Sequence, residues 1–407
     1  MSPLRRGRAL LALPLARTSA LLGINTLAAG GLGFLFWAIA ARTLPAAEVG
    51  RASAYTAGIG LLVALAALGL PETLIRHLPH SRTPRVLVGR MASLSVAVGA
   101  LAGVAFLAVP ASAAVPLPLG LPVAIGITVA LLLLGLANAT LLAERRAPVI
   151  VAGSLVTGIA KCAALLFALD ATGAVTAYGI GALAGVGVAA TVAYRGLPRR
   201  AEGTDGARLP LRGYALSNWA GGAASLLPLA LAPSLLLERG GPEAAAYAAI
   251  PLLLLTFLTL PPAVVARTLF AEASRHPERT GVLARRGLLL AGAGSLCALT
   301  GAAAFAPLVL SVFGEVYAAE GAPLLVLLAV ASLVAVPNYF IDVVLNVRRD
   351  TAGFAVVNIA GSAAVAAALL LLAHDPVSLG VAWIVGQAGY LAIAVAALLY
   401  RRRFPHV

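Results

Sequence analysis

Leu142-Ala143-Glu144-Arg145-Arg146 closes an apolar run that starts near residue 121, and Leu345-Asn346-Val347-Arg348-Arg349 closes another that starts near 321. Each run, at about 20 residues, is long enough to cross a hydrocarbon core roughly 30 Å thick. A lone segment in lipid must satisfy its own backbone hydrogen bonds, so each run is read as a helix. Similar runs fill the chain. Spans are expected at 20–41, 52–71, 86–109, 121–142, 149–169 and 174–194, then at 214–237, 245–266, 287–311, 321–344, 352–373 and 378–400. The sequence therefore predicts an all-α integral membrane protein with about twelve transmembrane helices.

Composition supports this. Of 407 residues 61% are hydrophobic and 11% charged, where a soluble protein carries about 25% charged residues. No polar stretch is long enough for a soluble domain. The net charge of +14 is spread in short clusters between apolar runs, which fits membrane topology rather than nucleic-acid binding. Counted by loop, 25 arginines fall on the face shared by both termini and the even-numbered loops, against Arg42, Arg51 and Arg239 on the other. The positive-inside rule then places both termini in the cytoplasm, with the protein in the cell membrane. The stretch Arg5-Arg6-Gly7-Arg8 with Ala9 to Ala16 reads as an interfacial helix leading into span 1, since Pro14, Arg17 and Asn25 interrupt any signal-peptide core. Cys162 and Cys297 read as buried small hydrophobes, and no disulfide is inferred.

The two halves repeat. The pentapeptides quoted first end spans 4 and 10, about 203 residues apart. Asn25 of span 1 matches Asn218 of span 7, and Tyr55, Pro71 and Arg76 match Tyr247, Pro262 and Arg267 at offsets of 191 to 192. Tyr194-Arg195 and Tyr400-Arg401 end the halves. Six spans per half make the repeat parallel, about an axis along the membrane normal, an organisation typical of transporters. The expected organisation is an N-terminal segment 1–18, a six-helix lobe 19–195, a linker 196–212, a second six-helix lobe 213–400 and a tail 401–407.

Several stretches resemble the multidrug/oligosaccharidyl-lipid/polysaccharide (MOP) exporter superfamily, and within it the Wzx-type polysaccharide-biosynthesis flippases. These are Phe36-Trp37-Ala38-Ile39-Ala40-Ala41-Arg42-Thr43-Leu44, Glu48-Val49-Gly50-Arg51-Ala52-Ser53, Leu68-Gly69-Leu70-Pro71-Glu72-Thr73-Leu74-Ile75-Arg76 and Val312-Phe313-Gly314-Glu315-Val316-Tyr317. The resemblance runs from residue 15 to 403. It implies a MATE-like pair of lobes around a central cavity lined by spans 1, 2, 7 and 8. It also implies alternating access that carries the head group of a polyprenyl-diphosphate-linked glycan across the bilayer. The protein would act as a monomer, without cofactor, beside the polysaccharide polymerase or glycosyltransferases of its pathway.

Ionisable groups within spans are functional hypotheses. Lys161, placed mid-span 5 and the only lysine, either contacts an anionic head group or pyrophosphate, or pairs with a polar neighbour and reaches toward water. Glu72 and Arg76 are four apart, on one helix face. Arg76 and Arg267, as repeat mates, either receive a diphosphate at the inner mouth or act as positive-inside anchors. Asp342 either pairs with Arg348 or Arg349 or takes part in coupling. Asn25 and Asn218 either bind sugar hydroxyls or serve as polar glue between helices. Asn358 and Gln387 are assigned to helix packing, and Trp37, Trp219 and Trp383 to packing or the interface. The family's deep cavity arginines have no counterpart here, which leaves the charge of the substrate open.

Three functions compete. A flippase for a lipid-linked glycan fits the resemblance. A cation-coupled multidrug or metabolite antiporter needs a buried carboxylate, and only Glu72, at the inner end of span 2, and Asp342, near the inner end of span 10, belong to the expected spans. A polytopic glycan-processing enzyme is disfavoured by short outer loops, where His374-Asp375 is the only histidine–acid pair, and by the lack of a nucleophile or metal-ligand motif.

Overall fold

The computed structural model describes residues 14–108, 121–197, 214–275, 280–348 and 350–403. Among them every regular element is helical, and twelve helices are long and apolar enough to cross a membrane. These spans are Gly23–Thr43, Ala46–Ala66, Pro84–Ala105, Pro122–Ala143, Ala147–Leu165, Ala171–Gly196, Trp219–Arg239, Gly241–Phe270, Thr280–Ser311, Glu315–Val347, Ala352–Leu372 and Pro376–Tyr400. The chain is a multi-pass, all-α membrane protein. Leu101, Phe167, Leu169 and Leu371 stand exposed; against lipid tails, as apolar as leucine itself, such exposure costs little. The helix of span 1 starts at Pro14, and the segment expected to be interfacial otherwise lies outside the described residues. So does most of the 196–212 linker.

Local chemistry explains the span ends. After span 4, Arg145 adopts the left-handed conformation (φ 57°). The Arg146 amide bonds to the Leu141 carbonyl at 2.8 Å and the Arg145 amide to Leu142 at 3.0 Å, a Schellman ending that satisfies the last carbonyls. The repeat-related turn after span 10 has the same long bond, from the Asp350 amide to the Leu345 carbonyl at 3.0 Å. Asp170 and Asp350 start spans 6 and 11 by accepting from the amides of Gly173 at 2.7 Å and Gly353 at 2.8 Å, as N-cap residues do. Gly314 takes φ 138°, a backbone angle open to glycine, and so turns the chain from span 9 into span 10. Phe313 and Tyr317 pack beside that turn, with Tyr247 edge-on to Tyr317 at 5.3 Å. The Phe-Gly-x-x-Tyr stretch thus builds a turn and its aromatic support.

The boundaries differ from expectation where the helix breaks. Span 2 ends at Ala66 instead of 71, because Leu68 (φ 49°) and Gly69 (φ 68°) are left-handed, and a separate helix, Leu70–His77, follows. Span 8 is two helices, Gly241–Leu258 and Leu260–Arg275, meeting at Thr259 just ahead of Pro261 and Pro262. A proline cannot donate to the preceding turn, so the breaks fall beside the repeat mates Pro71 and Pro262. Span 5 ends at Leu165, and span 9 starts earlier than expected, at Thr280.

By contact the chain falls into two units. The first holds spans 1 and 3–6 with the helix Leu70–His77, and the second holds spans 7–12 together with Leu44–Ala64 of span 2. In the first unit Leu70, Leu74 and Leu78 bury against Leu87, Met91, Leu136 and Leu197. In the second, Ala266 and Leu269 pack with Ala291, Val336, Phe340 and Val343. Also in the second unit, Gly50 lies directly against the Pro242 carbonyl, and the Trp219 indole donates to the Ala64 carbonyl at 2.9 Å.

The arginine-poor face carries its few arginines for local reasons. Arg51 pairs with Glu48. Arg239 donates to the carbonyls of Leu370 at 2.8 Å and Ala373 at 3.0 Å, capping span 11. Arg42 occupies the last turn of the span 1 helix, where the helix dipole favours a cation.

Candidate functional site

A cavity of about 420 Å³ opens among spans 7, 8, 10, 11 and 12, all of the second unit. That volume lies in the ~300–1,000 Å³ range of small-molecule sites. Ser225, Thr256, Thr259, Ser332, Asn338, Tyr339, Asp342, Asn358, Ser362, Trp383, Gln387 and Tyr390 supply its polar and aromatic lining, and Asp342 is the one charged residue among the lining side chains.

Helical spacing brings these groups together. Asn338 and Asp342 are four apart on span 10, Asn358 and Ser362 four apart on span 11, and Trp383, Gln387 and Tyr390 share a face of span 12. Asn358 is the hub. Its amide donates to Asp342 Oδ1 at 2.9 Å and to the Phe354 carbonyl at 2.9 Å. Its own oxygen accepts from the Tyr390 hydroxyl at 2.9 Å. Asn338 donates to Gln387 Oε1 at 3.3 Å, while its own carbonyl oxygen is buried without a hydrogen-bond partner. Ser332 donates to the Leu258 carbonyl at 2.9 Å, close to the break in span 8. Among the described residues the cavity therefore presents two acceptors without a donor: the second carboxylate oxygen of Asp342 and the side-chain amide oxygen of Asn338. A proton, a cation or ligand hydroxyls would fill them.

This arrangement settles where Asp342 points. Among the described residues no basic side chain lies within 4 Å of it, and its partner is Asn358. Arg348 is exposed, and Arg349 lies outside the described residues. Asn358 and Gln387, assigned to helix packing, do bridge helices and also line the cavity. Trp383, assigned to packing or the interface, is buried and lines the cavity too. Asn338 and Tyr390 were not singled out by their residue type. The signal that finds them is their spacing: polar groups at i and i+4 or i+3 on three consecutive spans.

Lys161 belongs to the first unit. It lies four residues before the end of span 5 at Leu165, so it sits toward the arginine-poor end and not at mid-span. Its ammonium faces two rings, Phe36 at 5.4 Å and Tyr178 at 5.5 Å from the centroids. Trp37 lies edge-on to Phe36 at 5.2 Å. The neighbouring Cys162 thiol points to the Leu32 carbonyl at 3.7 Å. Cys297, expected to be buried, is exposed on span 9, a position that lipid tolerates.

The remaining residues are divided between the two units. Asn25 holds a buried carbonyl oxygen without a hydrogen-bond partner. The Asn218 side chain lies outside the described residues. Glu72 and Arg76, expected at the inner end of span 2, stand exposed on the separate helix Leu70–His77, because the left-handed pair at Leu68 and Gly69 ends the span before them. Arg267 is exposed on the second helix of span 8.

No family model and no curated relative matches the sequence. Solved structures do match. A multidrug resistance transporter of the MATE family, MOP superfamily, is 15% identical with a TM-score of 0.68, covering 95% of this chain and 97% of its own. The lipid II flippase MurJ is 9% identical with a TM-score of 0.70, covering 95% and 93%. A MOP superfamily transporter from Pyrococcus furiosus is 15% identical with a TM-score of 0.56, covering 97% and 94%. At such identities the likeness is one of fold, and over nearly its whole length this chain has the fold of the MOP-superfamily transporters.

Proposed function

We propose that the protein is a membrane transporter that flips a polyprenyl-diphosphate-linked oligosaccharide from the cytoplasmic to the outer face by alternating access. The arginine-rich face is cytoplasmic in this reading. A polar head group cannot cross hydrocarbon unaided, and a wet, polar path through the protein removes that barrier. The observation that carries the reading is the cavity in the second unit. It combines planar amides (Asn338, Asn358, Gln387), hydroxyls and three aromatic side chains (Tyr339, Trp383, Tyr390) with a single charge. That mixture suits sugar hydroxyls, which need paired donors and acceptors beside an apolar ring face. The fold shared with the lipid II flippase MurJ supports the same reading.

A second reading, a cation-coupled antiporter, is favoured by one observation: the Asp342 carboxylate faces the cavity with an amide and no cation as its partner. The fold shared with a multidrug resistance transporter fits it. In both readings Asp342 is the residue that takes up an ion or a proton during the cycle.

The test is a deletion strain in which lipid-linked saccharides are sampled on each membrane face. Accumulation on the cytoplasmic face, relieved by the wild-type chain, supports flipping. No accumulation, together with a fall in small-molecule efflux, overturns it in favour of the antiporter. If Arg76→Ala and Arg267→Ala together abolish the relief, both residues lie on the path.

A further inference from the structure

Lys161, the only lysine in the chain, is placed with care. Gly181 brings span 6 against span 5, for a Cβ there would sit 2.6 Å from the Thr157 carbonyl oxygen and 2.7 Å from Lys161 Cβ. The stem of the lysine is thereby clamped. Its head is aimed at span 1, where Gly33 leaves room: a Cβ at Gly33 would meet only the ammonium, at 4.0 Å. Four residues of helix separate Lys161 from Leu165, about 6 Å at 1.5 Å per residue. Phe36 lies seven residues before the end of its helix at Thr43, and Tyr178 seven after the start of its own at Ala171. All three therefore sit toward the arginine-poor side.

An ammonium carries three donors. The faces of Phe36 and Tyr178 steady the charge, but a ring face is a weak acceptor, and among the described residues Lys161 forms no ion pair. A cation fixed this way still has donors to give, and an oxyanion is the ligand that fills them best. We infer that Lys161, held by Phe36, Tyr178 and Gly33, is a phosphate-binding subsite of the first unit that receives a phosphate of the lipid-linked diphosphate near the arginine-poor face. The identity of the lipid rests on the flippase reading; the phosphate chemistry rests on the geometry of Lys161.

A single lysine makes the test direct. Isotope-labelled lysine incorporated into the full-length chain yields one set of side-chain NMR signals, that of Lys161, and leaves its three N–H donors in place. Farnesyl diphosphate, inorganic pyrophosphate, phosphatidylglycerol and farnesol are added in turn to phospholipid-free micelles. The expected result is a saturable shift of the Lys161 signal with farnesyl diphosphate, a weaker response to pyrophosphate, and none with farnesol. Equal or tighter binding of pyrophosphate or phosphatidylglycerol overturns the lipid-linked diphosphate as the source. The absence of a shift with any phosphate overturns the subsite. In the flipping assay Lys161→Arg is expected to retain activity and Lys161→Gln to lose roughly tenfold or more, the scale of one charged hydrogen bond. Equal activity of Lys161→Gln and wild type overturns the role in transport. A deletion strain without accumulated lipid-linked saccharide overturns the flippase reading while leaving the NMR result standing, so the two failures are separable.

Discussion

Replacing Asn358 with Leu removes the hub of the cavity at nearly constant volume, so the effect reports hydrogen bonding more than packing. The Asn358 side chain makes three bonds of 2.9 Å, to Asp342, to the Phe354 carbonyl and from Tyr390. The Phe354 carbonyl belongs to a helix and loses least. The Asp342 carboxylate loses its donor and the Tyr390 hydroxyl its acceptor. At about 1–3 kcal/mol for each of these two stranded groups, Asn358→Leu should destabilise the protein by roughly 2–6 kcal/mol. Tyr390→Phe breaks only one bond and should cost about 0.6–1.5 kcal/mol, the range for single hydrogen bonds in membrane helices and elsewhere. The decisive quantity is the sign in the double variant. With Leu at 358 the tyrosine hydroxyl is already stranded, so removing it should restore about 1 kcal/mol instead of costing more. Denaturation of the detergent-purified single and double variants measures this cycle. If Tyr390→Phe costs the same in both backgrounds, the hub described here does not exist.

Other outcomes are expected on the same grounds. Asp342→Asn keeps an acceptor for Asn358 and should leave the fold intact, while transport into vesicles should stop responding to an imposed proton or sodium gradient. A variant that still responds would remove Asp342 from coupling. Gly386→Ala would place a Cβ 2.6 Å from Val365 Cα, so spans 11 and 12 must part by roughly 0.8 Å to reach ordinary contact at 3.4 Å. That movement should cost about 1–3 kcal/mol and lower both thermal stability and activity, and an unchanged melting temperature would refute the close approach. Asp375, between spans 11 and 12, accepts from the amides of Val377 and Ser378 at 2.8 and 2.9 Å. Partial burial pushes its carboxyl up, but the bonds from Ser378 and Val377, with His374 close by, hold it below its ordinary value of 3.8. A lowered folded-state value means stability that is present at neutral pH and lost as pH falls through it. Asp375→Ala should therefore cost about 0.5–1 kcal/mol at pH 7 and nothing in strong acid, which melting curves across that range would check.

The spans were legible because each is a run of apolar residues whose length the bilayer dictates, and arginine pairs such as Arg145-Arg146 mark their ends. The breaks were less legible. Leu68 carries no mark of the left-handed conformation it adopts; only the Gly69 and Pro71 beside it hint that span 2 stops at Ala66. In span 8 the Pro261-Pro262 pair carries the same hint, yet prolines are common in membrane helices and seldom end them. Lys161 was misplaced along its span for a related reason. The apolar run continues to residue 169, but the helix ends at Leu165, since Asp170 caps the next one and the intervening residues are needed to reach it.

Single polar residues in a membrane sequence are ambiguous, because the same asparagine can bind a ligand or join two helices. Asn358 joins helices and lines the cavity at once, and its residue type alone favours neither role. What separates the cases is coincidence between helices. Asn338 with Asp342, Asn358 with Ser362, and Trp383 with Gln387 and Tyr390 each form a stripe at helical spacing on spans 10, 11 and 12. One stripe can face any neighbour. Three stripes on consecutive, mutually packed helices have to converge, because each must avoid lipid and the interior is the only other choice. Span 5 offers no such coincidence: Lys161 stands alone, and only the packing of Gly33, Phe36 and Tyr178 around it shows where its charge is directed. Pattern across three spans therefore makes the second unit's cavity readable, whereas in the first unit the sequence singles out Lys161 and the fold shows where its charge is directed.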